Sequence, residues 1–250
     1  MRADRATPAL FALGFLALWE AAVRGFDVPS YLVPGPVAIV QAFFAAPALL
    51  LRSLASTLVV TAAALVASCV LGVAMAGTIA ISRWARAAIL PWAVVLQVTP
   101  IVAIAPLIIV WVGDPFTALV VCATIVAFFP VFSNTLAGLG APSPELIDLF
   151  RLYRAGPWRS LILLRLPAAL PYFLAGLRVS GGLALVGAVV AEFVAGSGGV
   201  ASGLAYRILE AGYRLQIPRM FAALVLLSVA GLCINAALGA LESWALRRHS

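Results

Sequence analysis

The sequence contains no lysine, and all 16 of its basic side chains are arginine. A P-loop uses a lysine to contact the β- and γ-phosphates of ATP, so this chain cannot hydrolyse ATP through that motif. The sequence has a single histidine, His249, one residue before its last. A catalytic triad built on histidine and a metal site with several histidines are therefore both excluded.

Charged residues are scarce as well, at 10% of the chain, whereas hydrophobic residues make up 64% of it. A soluble domain of this length needs a far larger charged surface. Cys69, Cys122 and Cys233 are scattered through apolar runs, which favours small buried side chains over a disulfide or a metal site. The composition predicts an integral membrane protein. Because the arginines stand in short loops between apolar runs, the net charge of +7 does not indicate a nucleic-acid partner.

Apolar runs of about 20 residues recur along the chain, and each is long enough to cross a hydrocarbon core of about 30 Å. We therefore predict an all-α protein with six transmembrane helices. The predicted spans are residues 9–25, 54–81, 89–112, 116–138, 168–194 and 218–244. A short interfacial helix is expected to begin near Pro36, and Pro100 and Pro106 are expected to kink the third span.

The arginines also predict the orientation of the chain. If the N-terminus is inside, the cytoplasmic flanks of the spans hold ten arginines and the outer flanks hold five. Cytoplasmic loops are enriched in arginine and lysine, so both termini are predicted to be cytoplasmic. The outer connection over residues 196–217 opens with Gly196, Ser197, Gly198 and Gly199 and is predicted to continue as an interfacial helix.

The inner connection, about residues 139–166, mixes charged and apolar side chains at helical spacing. This pattern predicts two short amphipathic helices separated near Gly156 and Pro157. The connection is either a solvated loop or a docking surface for a soluble partner, in which charges set the register and apolar side chains fill a groove. The candidate docking residues are Asp148, Leu149, Phe150, Arg151, Tyr153, Arg154 and Gly156.

Small and polar side chains within the spans are candidates for a pathway across the membrane. A stripe recurs every four residues along the fifth span, namely Gly176, Ser180, Ala184, Ala188 and Glu192. Such a stripe either permits close helix packing or lines a path. Glu192 favours the path, because an ionisable side chain there is costly without a partner or water, although it could also extend to the surface. Gln97 and Asn134 either face the path or hydrogen-bond to a neighbouring helix.

The segment that begins at Asp148 and runs through Leu166 and Pro167 resembles the coupling loop of type I ABC importer permeases, the binding-protein-dependent transport components. The family pattern is Glu-Ala-Ala, three residues, Gly, nine residues, then Ile-x-Leu-Pro. Here Asp148-Leu149-Phe150 takes the Glu-Ala-Ala position. Arg154 takes the position of the family's glycine, which leaves the following Gly156-Pro157 pair to break the helix.

The resemblance covers roughly residues 30 to 245. Four further motifs carry it: Leu32-Val33-Pro34-Gly35-Pro36, Gln97-Val98-Thr99-Pro100, Phe128-Phe129-Pro130 and Val189-Val190-Ala191-Glu192. They are similar to the branch that moves nitrate, sulfonates, taurine, thiamine-precursor pyrimidines and riboflavin. The Tyr153-Arg154-Ala155 sequence favours the pyrimidine and riboflavin members over the sulfonate, taurine and nitrate members.

The resemblance implies a fold, partners and a location. It implies an N-terminal transmembrane helix with an outer interfacial helix over residues 1–53, and an ABC transmembrane type-1 domain over residues 54–245. It implies two permease subunits, expected to be identical, two cytoplasmic ATPases that bind the ATP and magnesium, and a substrate-binding protein. The chain itself is then expected to need no cofactor or metal and to lie in the bacterial inner membrane as a transport subunit rather than an enzyme.

Two other classes compete with this interpretation. A stand-alone secondary transporter is expected to carry ionisable residues deep in its spans and often an inverted repeat. The middle of the spans is nearly free of charge here, and no repeat is evident. An intramembrane enzyme is disfavoured because catalytic histidine and paired mid-membrane aspartates are missing from the sequence.

Overall fold

The computed structural model describes residues 3–196 and 202–247, and all regular secondary structure in those ranges is helical. The glycine-rich opening of the outer connection, residues 197–199, lies outside the described residues. The elements in chain order are α1 (Ala3–Gly25), α2 (Pro36–Ala45), α3 (Pro47–Ile81), α4 (Arg83–Val98), α5 (Ile101–Val112), α6 (Pro115–Leu139), α7 (Pro144–Leu152), α8 (Pro157–Ser160), a π-helical turn (Leu161–Arg165), α9 (Leu166–Ala195), α10 (Leu204–Tyr213) and α11 (Ile217–Arg247).

Four helical segments among the described residues are long and apolar enough to cross a membrane: α3, α6, the continuous run Pro157–Ala195, and α11. The pair α4 and α5 makes a fifth candidate if the two helices count as one span. The prediction of an all-helical protein with several membrane spans is confirmed. The count of six spans stays a prediction, since α1 is not among these candidates.

The third predicted span is broken rather than kinked. α4 ends at Val98, α5 begins at Ile101, and the two helices are bent by 106° from each other. The break follows from Pro100, which disfavours helical backbone at the preceding residue, and Thr99 is extended with φ −74° and ψ 122°. The Val95 carbonyl near the end of α4 accepts both the Thr99 N–H at 3.1 Å and the Thr99 hydroxyl at 2.7 Å. Pro106, by contrast, lies inside α5, which continues through it.

The chain divides into two compact units. The first consists of residues 1–56 and 197–229. Within it, α2 begins at Pro36 as predicted, and the Val37 N–H donates to the Glu20 carboxylate at 3.1 Å. The predicted outer helix is α10, in which Arg207 forms an ion pair with Glu210 at 2.8 Å and donates to the Ser53 hydroxyl at 3.2 Å.

The second unit, residues 57–196 and 230–250, has a core in which α6 and α9 pack antiparallel. Glycines permit the close approach at three levels of this contact. A methyl group added at Gly138 would lie 2.8 Å from the Ala169 Cα, and one at Gly187 would lie 2.8 Å from the Ala123 Cα. At Gly176 it would lie 2.7 Å from the Pro130 carbonyl oxygen.

Helix α3 packs against the same pair of helices. The buried Ser68 hydroxyl donates to the Thr124 carbonyl of α6 at 3.2 Å. Farther along, Val60 and Ala64 form a buried cluster with Ala123 and Ala188. The contact of α3 with this pair is therefore assembled from small side chains and a side-chain-to-backbone hydrogen bond, as expected where lipid supplies no hydrophobic drive between helices.

Candidate docking segment and translocation path

The docking segment, residues 144–160, consists of α7 and α8 and agrees with the predicted pair of short helices. Pro144 occupies the first turn of α7, where its missing N–H costs nothing. Glu145 stands in the same turn, and a hydrogen bond from the Ser143 hydroxyl lowers the pKa of its carboxyl group. A carboxylate at this end favours the helix, because the N-terminus of a helix carries partial positive charge.

The end of α7 is formed by a residue in the left-handed conformation. Arg154 has φ 51°, and the Ala155 N–H donates to the Phe150 carbonyl at 2.9 Å across the turn. This geometry explains the glycine of the family pattern, since a left-handed residue favours glycine. The separation of α7 from α8 near Gly156 and Pro157 is as predicted, but the left-handed residue is Arg154 itself, since Gly156 has φ −64° and precedes α8.

The docking segment exposes several large apolar side chains. Leu152 is 80% exposed, Tyr153 78% and Trp158 63%. Leu149 is 45% exposed, whereas the predicted groove-filling residue Phe150 is half-buried. Leu152 and Trp158 were missed from sequence, although Leu152 lies three residues from Leu149 on the same helical face. Outside the membrane, an exposed apolar patch is typical of an interaction site, so the docking role stays a prediction.

Charges flank this apolar surface. Arg151 and Asp148 form an ion pair at 3.0 Å, with both side chains exposed. Exposed pairs of this kind contribute little to stability. They do set orientation and approach when a partner of complementary charge binds. Arg154 is exposed too, and none of the ion pairs within the described residues includes it.

The docking segment continues directly into a membrane span. α8 leads through the π-helical turn Leu161–Arg165 into α9 without an intervening loop. Arg165 ends the turn, and its side chain donates to the Leu139 carbonyl at the end of α6 at 3.3 Å. Single π-helical turns of this kind are rare and are frequent at functional sites.

The small-residue stripe of α9 is buried within the chain. Ser180, Ala184 and Ala188 are each 0% exposed and Glu192 is 4% exposed. The Ser180 hydroxyl donates to the Ala127 carbonyl of α6 at 2.7 Å. Helix packing, the alternative that the sequence left open, accounts for these contacts. A place for Ser180, Ala184 and Glu192 on the path stays a prediction, and it requires the buried face to open.

Glu192 has a partner that the sequence did not indicate. The Thr57 hydroxyl of α3 lies 2.8 Å from Oε1 and 3.1 Å from Oε2 of the Glu192 carboxyl group. Thr57 is itself fully buried, and its own carbonyl accepts a hydrogen bond from the Thr61 hydroxyl at 2.8 Å. Glu192 therefore does not extend to the surface, and its buried carboxyl group joins α9 to α3.

Gln97 and Asn134 differ in their surroundings. Gln97 is exposed and lines a cavity of about 290 Å³ beside the break between α4 and α5, together with Thr99, Phe129 and Leu183. Asn134 instead donates from Nδ2 to the Pro130 carbonyl at 2.9 Å on its own helix. Gln97 thus lines a cavity, whereas Asn134 forms a hydrogen bond within its own helix; a place for either on the path stays a prediction.

A polar cluster between α9 and α11 was also missed from sequence. Arg178 donates from Nε to the Asn235 side-chain oxygen at 3.0 Å and lies 3.5 Å from the Glu242 carboxylate. A charged residue inside an apolar span is itself a signal of such a partner. The sequence placed Arg178 in its span but gave no reason to choose Asn235 and Glu242.

Comparison with known proteins places the chain in one protein family. Residues 68–247 match the family described as binding-protein-dependent transport system inner membrane component. The chain belongs to this family. It is a permease of the ABC importer type, a multi-pass membrane protein and not an enzyme, and ATP hydrolysis belongs to a separate ATPase. A permease of this family works with that ATPase and with a substrate-binding protein.

Individual permeases support the assignment over almost the whole chain. An ABC transporter permease protein of Haemophilus influenzae is 34% identical over 227 residues, 91% of each chain. The formylaminopyrimidine transport permease protein of Halalkalibacterium halodurans is 31% identical over 239 residues, 94% of this chain and 93% of its own. The riboflavin transport system permease protein of Chloroflexus aurantiacus is 32% identical over 234 residues, 93% of this chain and 86% of its own.

Proposed function

We propose that this permease carries a heteroaromatic solute, a thiamine-precursor pyrimidine or riboflavin, delivered by a substrate-binding protein. The observation that carries the proposal is the similarity over more than nine-tenths of the chain to permeases named for formylaminopyrimidine and for riboflavin. Both named solutes contain a planar ring system with several hydrogen-bonding groups. Sulfonates and nitrate are anions and taurine is a zwitterion, so all three alternatives carry formal charges.

The cavity beside the α4–α5 break supports this solute class. It offers the Gln97 amide and the Thr99 hydroxyl as hydrogen-bonding groups, and the Phe129 ring as an apolar face. Aromatic side chains stack on planar rings, and a few placed polar groups fix the orientation of a ligand. None of the described residues that line this cavity is charged, which favours a neutral solute over an anion.

The proposal includes an assembly and an orientation. Two identical copies of the chain pair in the bacterial inner membrane, each with six spans and both termini in the cytoplasm. Residues 54–245 form the transmembrane domain that pairs. The docking segment then lies on the cytoplasmic side and inserts into a groove of an ATPase, which binds ATP and magnesium. The docking of this segment is supported by the exposed apolar surface of Leu149, Leu152 and Tyr153 beside the charges of Asp148 and Arg151.

Substrate choice is tested by ATP hydrolysis in lipid nanodiscs that contain this chain, its ATPase and the cognate binding protein. We expect a loaded binding protein to stimulate hydrolysis with a pyrimidine or with riboflavin and not with taurine or an alkanesulfonate. Stimulation by a sulfonate alone would overturn the proposed substrate class while leaving the importer intact.

Gln97→Leu is expected to lower transport about tenfold through loss of one hydrogen bond. Gln41→Leu, an exposed glutamine of α2, serves as the control.

Docking is tested with two exposed tyrosines. Tyr153 is 78% exposed in the docking segment, and Tyr213 is 86% exposed at the end of α10. Tyr153→Ala is expected to weaken co-purification of the ATPase about 30-fold, as removal of an aromatic interface anchor does. Tyr213→Ala is expected to leave it unchanged, because α10 lies on the opposite side in the proposed orientation. Equal retention of the ATPase by both variants would contradict the docking role.

A further inference from the structure

A second cavity, here called the inner cavity, is lined by earlier residues of α4 and mostly later residues of α6 than the cavity at Gln97, and Phe129 lines both. Its volume is about 520 Å³, within the range of sites that bind drug-sized ligands. Leu90, Val94, Phe129 and Leu136 form apolar walls, and Arg86 and Arg165 also line it. Arg86 stands in the first turn of α4, and Arg165 stands beside the end of α6, so both arginines lie near helix ends.

The charge of the inner cavity has one sign. None of the described residues that line it is acidic, and neither arginine forms an ion pair within the part of the chain that the structure describes. Arg165 is half-buried and has only the Leu139 carbonyl as a hydrogen-bond acceptor there, at 3.3 Å. Two arginines without a carboxylate beside an apolar cavity favour a ligand that has both an anion and an apolar part.

The depth of the inner cavity matches one leaflet of a bilayer. Its lining on α6 extends from Phe129 to Leu139, which is about 15 Å along a helix. Half of a hydrocarbon core is about 15 Å. The other hydrogen-bonding side chain in the lining is that of Ser133, whose hydroxyl is 3.5 Å from the Pro130 carbonyl of its own helix. The deep part of the cavity therefore suits an acyl chain better than a polar solute.

We propose that the inner cavity is a binding site for an anionic phospholipid, such as phosphatidylglycerol or cardiolipin. The lipid phosphate lies between Arg86 and Arg165, and an acyl chain lies along Leu90, Phe129 and Leu136. The lipid thus connects the start of α4 to the segment between α8 and α9. Phe129 lines both this cavity and the proposed solute cavity at Gln97, whereas Arg86 and Arg165 line only the inner cavity, so the lipid proposal does not depend on which solute the importer carries.

Native mass spectrometry of the full chain, extracted from membranes that contain phosphatidylglycerol, tests the proposal. We expect R86Q/R165Q to lose affinity for the anionic lipid about 30-fold, the effect of removing two positive charges near the membrane surface. R83Q is the matched control, because Arg83 is exposed in the same turn of α4 but does not line the cavity. Equal lipid retention by the double variant and R83Q would overturn the proposal.

A photo-crosslinking measurement on the unmodified chain covers the case in which the double variant does not fold. Phosphatidylglycerol with a photoreactive acyl chain is expected to label the peptides around Leu90 and Phe129 more strongly than the matching phosphatidylcholine. Excess inorganic phosphate is expected not to displace it. Equal labelling by both lipids, displacement by phosphate, or displacement by riboflavin or a pyrimidine would each overturn the lipid site.

Discussion

The α6–α9 contact and the docking segment differ in the size and the exposure of their side chains. The contact is built from glycine, alanine and serine, and Ser180 and Ala184 have no exposed surface. In the docking segment, leucine, tyrosine and tryptophan side chains are largely exposed, with Leu152 at 80%. The contact is complete within one chain, whereas the docking segment presents apolar area that no described residue covers.

This difference reflects two environments, the membrane interior in which helices pack and the water in which a segment binds a soluble partner. Helices inside a membrane gain little from burying large apolar side chains, because lipid is equally apolar, so close backbone approach and hydrogen bonds join them. A segment that meets a soluble partner in water gains from apolar area that becomes buried on binding. Substitutions are therefore expected to act on folding in the α6–α9 contact and on association in the docking segment.

The largest effect is expected at Gly176. Gly176→Val places side-chain atoms against the Pro130 carbonyl, which a methyl group would already approach to 2.7 Å, and the helix backbones must move apart. We expect the free energy of unfolding to fall by about 3 kcal/mol. The control is Gly182→Val on the same helix, where no atom lies within 4 Å of the added group. Thermal unfolding in detergent compares the two, and a similar midpoint for both would contradict close packing at Gly176.

The next effect concerns the hydrogen bond between Thr57 and Glu192. Thr57→Val keeps the shape of the side chain but removes the hydroxyl that donates to the carboxyl group at 2.8 Å. The expected loss is about 2 kcal/mol of unfolding free energy, because a buried carboxyl group loses a donor. Thr57→Ser retains the hydroxyl and is expected to restore most of that loss. Chemical denaturation of both variants measures the difference, and a valine variant as stable as the serine variant would refute the role of the hydroxyl.

A smaller effect of the opposite sign is expected at Arg154. Arg154 has φ 51°, a left-handed conformation that glycine adopts at lower energy than arginine. Arg154→Gly is therefore expected to raise the free energy of unfolding by about 0.5 kcal/mol. Arg151→Gly removes the same charge from within α7 and is expected to lower it by about 1 kcal/mol. Calorimetry of the two variants tests the opposite signs. A loss of stability in both would show that the turn does not favour glycine.

The smallest effect is a pH dependence at the start of α7. The Ser143 hydroxyl lowers the pKa of Glu145 below its ordinary value of 4.5, so the ionised carboxylate stabilises the folded helix. This contribution is fully present above pH 4.5 and is lost as the pH falls through the lowered pKa of the folded state. Amide hydrogen exchange in α7, corrected for intrinsic rates, is expected to show this loss of protection. Glu145→Gln and Ser143→Ala are expected to reduce this pH dependence of protection. An unchanged pH dependence in both variants would exclude Glu145 as its source.

The long helices were largely predictable from sequence. The fourth predicted span, residues 116–138, differs from α6 (Pro115–Leu139) by one residue at each end. Asp114 caps this helix by accepting the Thr117 N–H at 2.8 Å, a signal that is local in sequence. The second predicted span begins seven residues too late, because α3 starts at Pro47 and continues through Arg52 and Ser53. The length of an uninterrupted apolar run predicts where a span lies, but it does not predict that the helix continues past polar residues such as Arg52 and Ser53.

The break between α4 and α5 and the environment of Glu192 were not predictable in the same way. A proline signals a disturbed helix, but the bend depends on the helices packed around it. Glu192 and Thr57 are 135 residues apart in sequence, and nothing local to either residue indicates the hydrogen bond between them. The docking segment was predicted from its charges and helical spacing, whereas the exposure of Leu152 and Trp158 depends on which helix face the rest of the fold leaves uncovered.

The π-helical turn Leu161–Arg165 gives the docking segment a mechanical connection to the membrane. Together with α8 and α9 it forms one rod of 39 residues, about 58 Å long, which is far more than the hydrocarbon core of about 30 Å requires. The surplus length extends beyond the membrane toward the docking segment. No loop interrupts these 39 residues, so in the proposed complex a tilt of α8 is expected to be transmitted to α9, which pivots at its glycine contacts with α6. If the docking segment binds the ATPase as proposed, the close contact that these glycines permit is also the one that each ATP-driven movement loads.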